Sequence, residues 1–275
     1  MSSLPPPPLP PPPVIEYCYR HPTRETGRKC TRCGKPACGD CLVQVSIGSQ
    51  CLDCVKAARP DVKTRARFWN ARQPTLVTYA LIAINAAVYA WTASSPRNQF
   101  NLALAKPFIA NGEYYRLVSS GFLHYSIFHI GMNMLLLFQL GQLLEPAIGR
   151  VRFGLLYFAS LLAGSLGALM LQPFGLTGGA SGAVFGLMGA AAVELSARGI
   201  NPMETGIGGL IIFNLLFSFV FSGISIGGHI GGLIGGALTG FLFLQADQRH
   251  IPRQAALGLT VALGALVFAA AVYVA

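Results

Sequence analysis

Charge is what this sequence has least of. Asp, Glu, Lys and Arg make up 11% of its 275 residues, against about 25% in an average globular chain. The deficit is concentrated rather than spread. Residues 1–73 hold 12 of the 20 Lys/Arg and 5 of the 10 Asp/Glu, so the remaining 202 residues carry 8 basic and 5 acidic side chains. Cysteine is equally uneven: all 7 lie between Cys18 and Cys54, and the apolar part has none. With 53% apolar residues and 32 glycines in the whole chain, most of them after residue 73, the composition excludes a helical bundle folded in water. The net charge of +10, of which +7 sits in the first 73 residues, sets a basic block beside an apolar body. Such a pairing suits an anionic membrane surface and argues against nucleic acid as a partner.

After residue 72 the stretches free of Asp, Glu, Lys and Arg are 73–96, 117–144, 153–193, 205–246 and 254–275. A bilayer crossing takes about 20 apolar residues. The stretches of 41 and 42 residues each hold two crossings, turning near Pro173 and near Gly223, and the others hold one. The expectation is an all-α polytopic membrane protein of seven helices; spanning strands would alternate polar and apolar residues instead. Lys56, Arg59, Lys63, Arg65, Arg67 and Arg72 precede the first span, Arg150 and Arg152 follow the second, and Arg249 and Arg253 follow the sixth. The positive-inside bias then puts the N-terminus in the cytoplasm and the C-terminus outside. The loop from Arg97 to Arg116 runs against the bias. The Leu/Pro-rich start does not read as a cleavable signal peptide. It predicts a disordered polyproline II tail over 1–15, and 57–73 a basic juxtamembrane linker.

Between these lie four pairs of ligand-type residues, each with two residues between partners: Cys18/His21, Cys30/Cys33, Cys38/Cys41 and Cys51/Cys54. That spacing lets a short knuckle offer two donors to one tetrahedral ion, and eight donors make two sites. Disulfides fit less well with an odd cysteine count, a histidine in the eighth position and a cytoplasmic placement. Alternating pairs favour cross-bracing, pairs one and three on one zinc ion and two and four on the other; sequential pairing also fits the spacing. With every donor a protein side chain, the two zinc ions are structural. Residues 16–56 resemble a B-box type zinc finger, a class used for protein contacts, which suggests a cytoplasmic protein partner.

An ionisable or strongly polar side chain at membrane depth is a functional candidate. His129, Asn133, Ser181 and His229 all lie within the first two turns of spans two, four and six, which enter from the outer face. His129 and Asn133, four residues apart, share a helix face. Ser181 follows Thr177-Gly178-Gly179-Ala180 and begins span four, near the free backbone N–H groups of a helix start. Gly178, Gly182, Gly186 and Ala190 form a small-residue stripe on span four; Gly228, Gly232, Gly236 and Gly240 form one on span six. Close packing of these stripes would bring Ser181 to His229. Neutral imidazole can take the proton of a serine hydroxyl. No Asp or Glu lies at that depth to orient the ring, so a dyad is expected, with Phe185, one turn below Ser181, against the imidazole.

Gly179-Ala180-Ser181-Gly182, the His129/Asn133 pair, and His229 followed by Gly232 and Gly236 resemble the rhomboid family of intramembrane serine proteases. The resemblance covers roughly 74–246 and implies a six-helix core, followed over 247–275 by an inner loop and a seventh helix. It implies Ser181 as nucleophile, His229 as general base, and an oxyanion hole from the Ser181 N–H, His129 and Asn133. It also implies an acyl-enzyme route, no cofactor for catalysis, and cleavage in or near a substrate's transmembrane segment after a small side chain. Glu113-Tyr114-Tyr115-Arg116 resembles the family's Trp-Arg motif, with tyrosine in place of tryptophan. His124 and Glu145 are expected to be structural.

Rival chemistries lack their residues. No His-Glu-x-x-His occurs, and Asp40, Asp53, Asp61 and Asp247 leave none at mid-membrane. The alternative is a rhomboid-like protein that binds transmembrane clients without cutting them; it would be expected to lack the serine or the histidine. A transporter would place polar groups along a path. The finger-plus-rhomboid layout, with high glycine and alanine, suggests a bacterial plasma membrane.

Overall fold

The computed structural model describes residues 15–45, 47–58, 74–220 and 223–275. The Pro-rich tail up to residue 14 and the linker from 59 to 73 lie outside the described residues. The chain divides into two compact units, residues 1–66 and 67–275.

The first unit is built on short hairpins. Strand β1 (Tyr17–Cys18) pairs antiparallel with β2 (His21–Glu25), and β3 (Leu42–Gln44) with β4 (Ser49–Cys51), which runs into helix α1 (Leu52–Ala57). Among its described residues, Cys18, Ala37, Cys38 and Cys41 form a small apolar cluster with Tyr19 and Leu42 packed against it, and Cys30 and Cys51 are buried beside the second hairpin.

The second unit is helical. It comprises α2 (Leu76–Ala93), α3 (Pro96–Leu102), α4 (Lys106–Ala110), α5 (Arg116–Ser119), α6 (Ile127–Ile148), α7 (Arg150–Leu171), α8 (Ser181–Ala197), α9 (Ile207–Val220), α10 (Ile226–Asp247) and α11 (Arg253–Tyr273). Five of these, α2, α6, α7, α10 and α11, are long and apolar enough to cross a membrane. Of the seven crossings expected, α8 with 17 residues and α9 with 14 are shorter, spanning about 26 and 21 Å at 1.5 Å per residue. The turn over 172–180 takes up the middle of the first long charge-free stretch, and the loop over 198–206, with Arg198 and Glu204, separates α8 from α9. The second stretch also divides. A short turn of helix at Arg116–Ser119 precedes α6, which starts where the Ser126 side chain accepts the His129 N–H. Ser225 caps α10 in the same way through the Gly228 N–H. The faces turned outward are apolar, with Ile127, Phe128, Phe213, Phe219, Val220 and Leu266 exposed, as a lipid-facing surface requires.

The glycine stripes of α8 and α10 meet. A Cβ at Gly232 would overlap the Gly182 carbonyl, one at Gly236 the Gly186 carbonyl, and one at Gly240 would come within 2.8 Å of Ala190 Cα. A third helix joins them: a Cβ at Gly164 on α7 would lie 3.1 Å from Gly182 Cα and 3.0 Å from the Gly228 carbonyl oxygen. Backbone against backbone leaves no room for a side chain, so Gly232→Val is expected to cost about 3 kcal/mol or more. Gly258→Ala on α11, where nothing lies within 4 Å of an added Cβ, is expected to be neutral or slightly stabilising. Thermal unfolding in detergent micelles checks the pair.

Two buried charges hold the frame. Glu145 on α6 accepts the Val77 and Thr78 N–H groups at 3.0 and 2.8 Å and the Thr78 hydroxyl at 2.7 Å. It thus caps the first turn of α2, where a negative charge meets the helix dipole. Arg116 is buried, donates to the Phe100 and Ala103 carbonyls at 2.6 and 2.8 Å, and lies 4.1 Å from the Phe108 ring centroid. The Arg116 guanidinium holds the Glu113 carboxyl below its ordinary range. Tyr115, next to Arg116 in sequence, is exposed and bonds through its hydroxyl to the Asn101 carbonyl and Glu113. Arg116 anchors this loop.

Candidate active site and metal centres

Ser181 is the first residue of α8, after a loop secured at two points. Leu104 and Thr177 exchange backbone hydrogen bonds, both 2.9 Å, and the Gly179 N–H donates to the Ser120 carbonyl at 2.8 Å. Gly179 has φ +141°, a conformation that disfavours any side chain. A Cβ there would lie 2.8 Å from His129 Nε2 and 3.7 Å from Ser181 Oγ, so Gly179 separates the two groups at contact distance.

His229, one turn into α10, puts Nε2 2.8 Å from Ser181 Oγ. Phe185 stacks on the imidazole at a centroid distance of 4.1 Å and an interplanar angle of 17°. Helix α6 supplies His129 and Asn133. The Asn133 side-chain amide donates to the His129 carbonyl at 3.0 Å, which leaves its second N–H available. His129 stacks on Tyr125, and His124, fully buried, meets it edge-on at 4.9 Å. Asp247 is paired with Arg152 and Arg253 at the far end of α10, 18 residues or about 27 Å along the helix from His229. A small cavity of about 40 Å³ opens beside Ser181, lined by Ser120, Gly164, Ser165, Thr177, Gly182 and Ser225 among others.

One polar contact has no counterpart in the sequence reading: Ser218 of α9 lies with Oγ 2.7 Å from His229 Nδ1. The sequence marks it faintly, through Asn214 four residues before it on the same helix face.

In the first unit, Cys18, His21, Cys38 and Cys41 form one cluster and Cys30, Cys33, Cys51 and Cys54 another, the donor atoms of each within 4.8 Å of one another. This is the alternating arrangement. Metal–sulfur and metal–nitrogen bonds of about 2.3 and 2.0–2.1 Å give a tetrahedron with edges of about 3.8 Å between sulfurs and 3.6 Å from sulfur to nitrogen. Cys33 and Cys51 Sγ are 3.7 Å apart, and His21 Nδ1 is 3.7, 3.4 and 3.4 Å from the sulfurs of Cys18, Cys38 and Cys41. These distances are tetrahedral edges, and the donor sets fit a metal ion. Without a cation the thiols oppose one another. The Cys51 N–H pulls the Cys30 thiol down to about 6, while the Cys33 thiol and burial push Cys54 up to about 12. Burial and the Cys18 and Cys38 thiols push Cys41 up to about 11. Holding all the thiolates together takes a divalent ion.

Comparison with known proteins bears on the family of the helical unit. Residues 111–246 match the family model of the rhomboid domain. The chain is 35% identical over 162 residues to Rhomboid protease GluP of Bacillus subtilis, covering 56% of this chain and 32% of that protein. It is 46% identical over 83 residues to RHOMBOID-like protein 1 of Arabidopsis thaliana, covering 30% and 21%. It is also 36% identical over 90 residues to Rhomboid-like protease 3 of Toxoplasma gondii, covering 33% and 34%. The chain thus spans about a third or less of the length of these curated relatives. The matched segment runs from the Arg116 loop through Ser181 and His229 to the end of α10, and with its apolar helices it makes the chain an integral multi-pass membrane protein that belongs to the rhomboid family.

Proposed function

We propose that this protein is an intramembrane serine endopeptidase that cuts the transmembrane segments of other membrane proteins. The observation that carries the reading is the 2.8 Å contact between Ser181 Oγ and His229 Nε2, in a fold whose relatives include proteins named rhomboid proteases. His229 takes the Ser181 proton as Oγ attacks the scissile carbonyl carbon, and the carbonyl π electrons move onto oxygen. The resulting oxyanion is held by the Ser181 N–H, His129 and Asn133. When the C–N bond breaks, the imidazolium gives its proton to the leaving amine, which leaves an acyl-enzyme. Water, deprotonated by His229, then attacks the ester; the acid departs and Ser181 regains its proton. Phe185 keeps the imidazole in plane with the hydroxyl. The glycine-lined cavity beside Ser181 favours a small side chain before the cut.

The zinc-type module over 16–56 is read as cytoplasmic, with zinc on Cys18, His21, Cys38 and Cys41 and on Cys30, Cys33, Cys51 and Cys54. Tetrahedral thiolate-rich donor sets favour that metal. With no open position, each ion supplies cross-links and no chemistry at the active site. The core is assigned to 74–246 and the seventh helix to the segment after it, in a bacterial plasma membrane with the C-terminus outside. Transmembrane proteins are the substrates, and a cytoplasmic protein is the partner of the module.

A fluorophosphonate probe reacts with an activated serine, so it tests the reading without a known substrate. The wild-type protein is expected to label, and Ser181→Ala and His229→Ala are not. Labelling that persists in Ser181→Ala would move the nucleophile elsewhere. No labelling of folded wild type would favour a client-binding protein that does not cut.

A further inference from the structure

We infer that Ser218 is a positioning residue that fixes the tautomer of His229; the inference rests on the protease reading above. Ser218 is the only buried residue of α9. An apolar helix with lipid-facing sides would be expected to bury its bulkiest residues, yet what it turns inward is a hydroxyl. That hydroxyl has two neighbours: the Asn214 carbonyl oxygen at 2.6 Å, one turn back, and His229 Nδ1 at 2.7 Å.

A serine hydroxyl carries one proton and can accept through its lone pairs. A carbonyl oxygen can only accept, so the Ser218 proton goes to Asn214, as helical serines commonly direct it. The His229 contact is then Nδ1–H donating to Ser218 Oγ. A neutral imidazole holds one proton, so Nε2 is bare and faces Ser181 Oγ at 2.8 Å as an acceptor. The opposite tautomer would point an N–H at the nucleophile and remove the base. Ser218 thus does for this histidine part of what a carboxylate does in a triad: it sets tautomer and ring angle without adding a negative charge. Phe185 stacks on the ring face and leaves rotation in the plane free. The two hydrogen bonds at Nδ1 and Nε2 stop that rotation.

The test uses the full-length protein in detergent and a shape-matched pair, Ser218→Thr and Ser218→Val, of which only the first keeps the hydroxyl. In ¹⁵N spectra of histidine-labelled protein, wild type and Ser218→Thr are expected to show His229 protonated on Nδ1 and bare on Nε2. Ser218→Val is expected to show a mixture. On a transmembrane reporter substrate, Ser218→Val should lose roughly 10- to 100-fold in kcat, the rate equivalent of one hydrogen bond, with KM unchanged and Thr restoring most of the rate. A wild-type spectrum with the proton on Nε2, or Val matching Thr in both readouts, overturns the assignment. Absence of turnover by folded wild type would sink the protease reading instead, turnover that survives Ser181→Ala would move the nucleophile elsewhere, and the spectra, which need no turnover, would still decide the role of Ser218.

Discussion

Replacing Ser181 with alanine is expected to lower the turnover of a membrane-anchored substrate in proteoliposomes by roughly 10⁴- to 10⁶-fold, and His229→Ala by a similar factor. The size follows from how the two side chains act. A hydroxyl without a base stays protonated and attacks slowly; a base without the hydroxyl has only water to activate, and this site holds Ser181 between His229 and the loop at Gly179. The Ser181→Ala/His229→Ala double variant should therefore be little worse than either single one, since the pair works as a unit. His129→Ala and Asn133→Ala remove donors from the proposed oxyanion hole and leave the dyad intact. Each should cost about 10²–10³-fold in kcat, with fluorophosphonate labelling reduced but present. Turnover by His229→Ala within tenfold of wild type would refute the base assignment.

Much of this site is legible in sequence because the bilayer empties it of competing signals. Among so few polar residues at membrane depth, His129, Asn133, Ser181 and His229 stand out, and glycines every fourth position state which helices touch. The stripes of α8 and α10 make the contact that carries Ser181 to His229. The contribution of α7 carries the same signal in mixed residues, since Ser160, Gly164 and Ala168 are spaced by four, as are Ala159, Ala163 and Gly167, and Gly164 meets both other helices at one point. Helix lengths are hidden. A run of 42 charge-free residues divides as readily into two full crossings as into a short α9 and a long α10, and the uncharged turn at Gly223 leaves no mark of where either one stops. Helix starts are better marked, since Ser126 and Ser225 each sit three or four residues before a site histidine and cap its helix. Ser218 is the opposite case. Its role depends on where α9 docks, and nothing in a 14-residue apolar segment records that.

Stripping metal from the protein with a strong chelator is expected to unfold residues 16–57 and leave the helical unit folded and reactive. The first unit has almost no core besides its ligands: Cys18, Cys38 and Cys41 are three of the four residues in its apolar cluster, and its strands are two to five residues long. A unit of that size does not stand on buried area alone. Its exposed ion pairs, Arg20 with Asp53 and Lys29 with Glu16, contribute little in water. Structural zinc in small fingers supplies about 10–16 kcal/mol at neutral pH, as much as the whole net stability of a typical domain. Metal loss should therefore appear as fast amide hydrogen exchange throughout 16–57, with exchange in α7, α8 and α10 unchanged. Ligand thiols must be ionised to bind, so acidification should release the same ions and produce the same exchange pattern. The contacts that place Ser181 against His229 lie on α7, α8, α9, α10, the loops beside them and the segments at Leu104 and Ser120, all within the second unit. Fluorophosphonate labelling should accordingly survive chelation. Loss of labelling with the helices still protected from exchange would mean that the module controls the serine from a distance, and it would recast a structural finger as a switch.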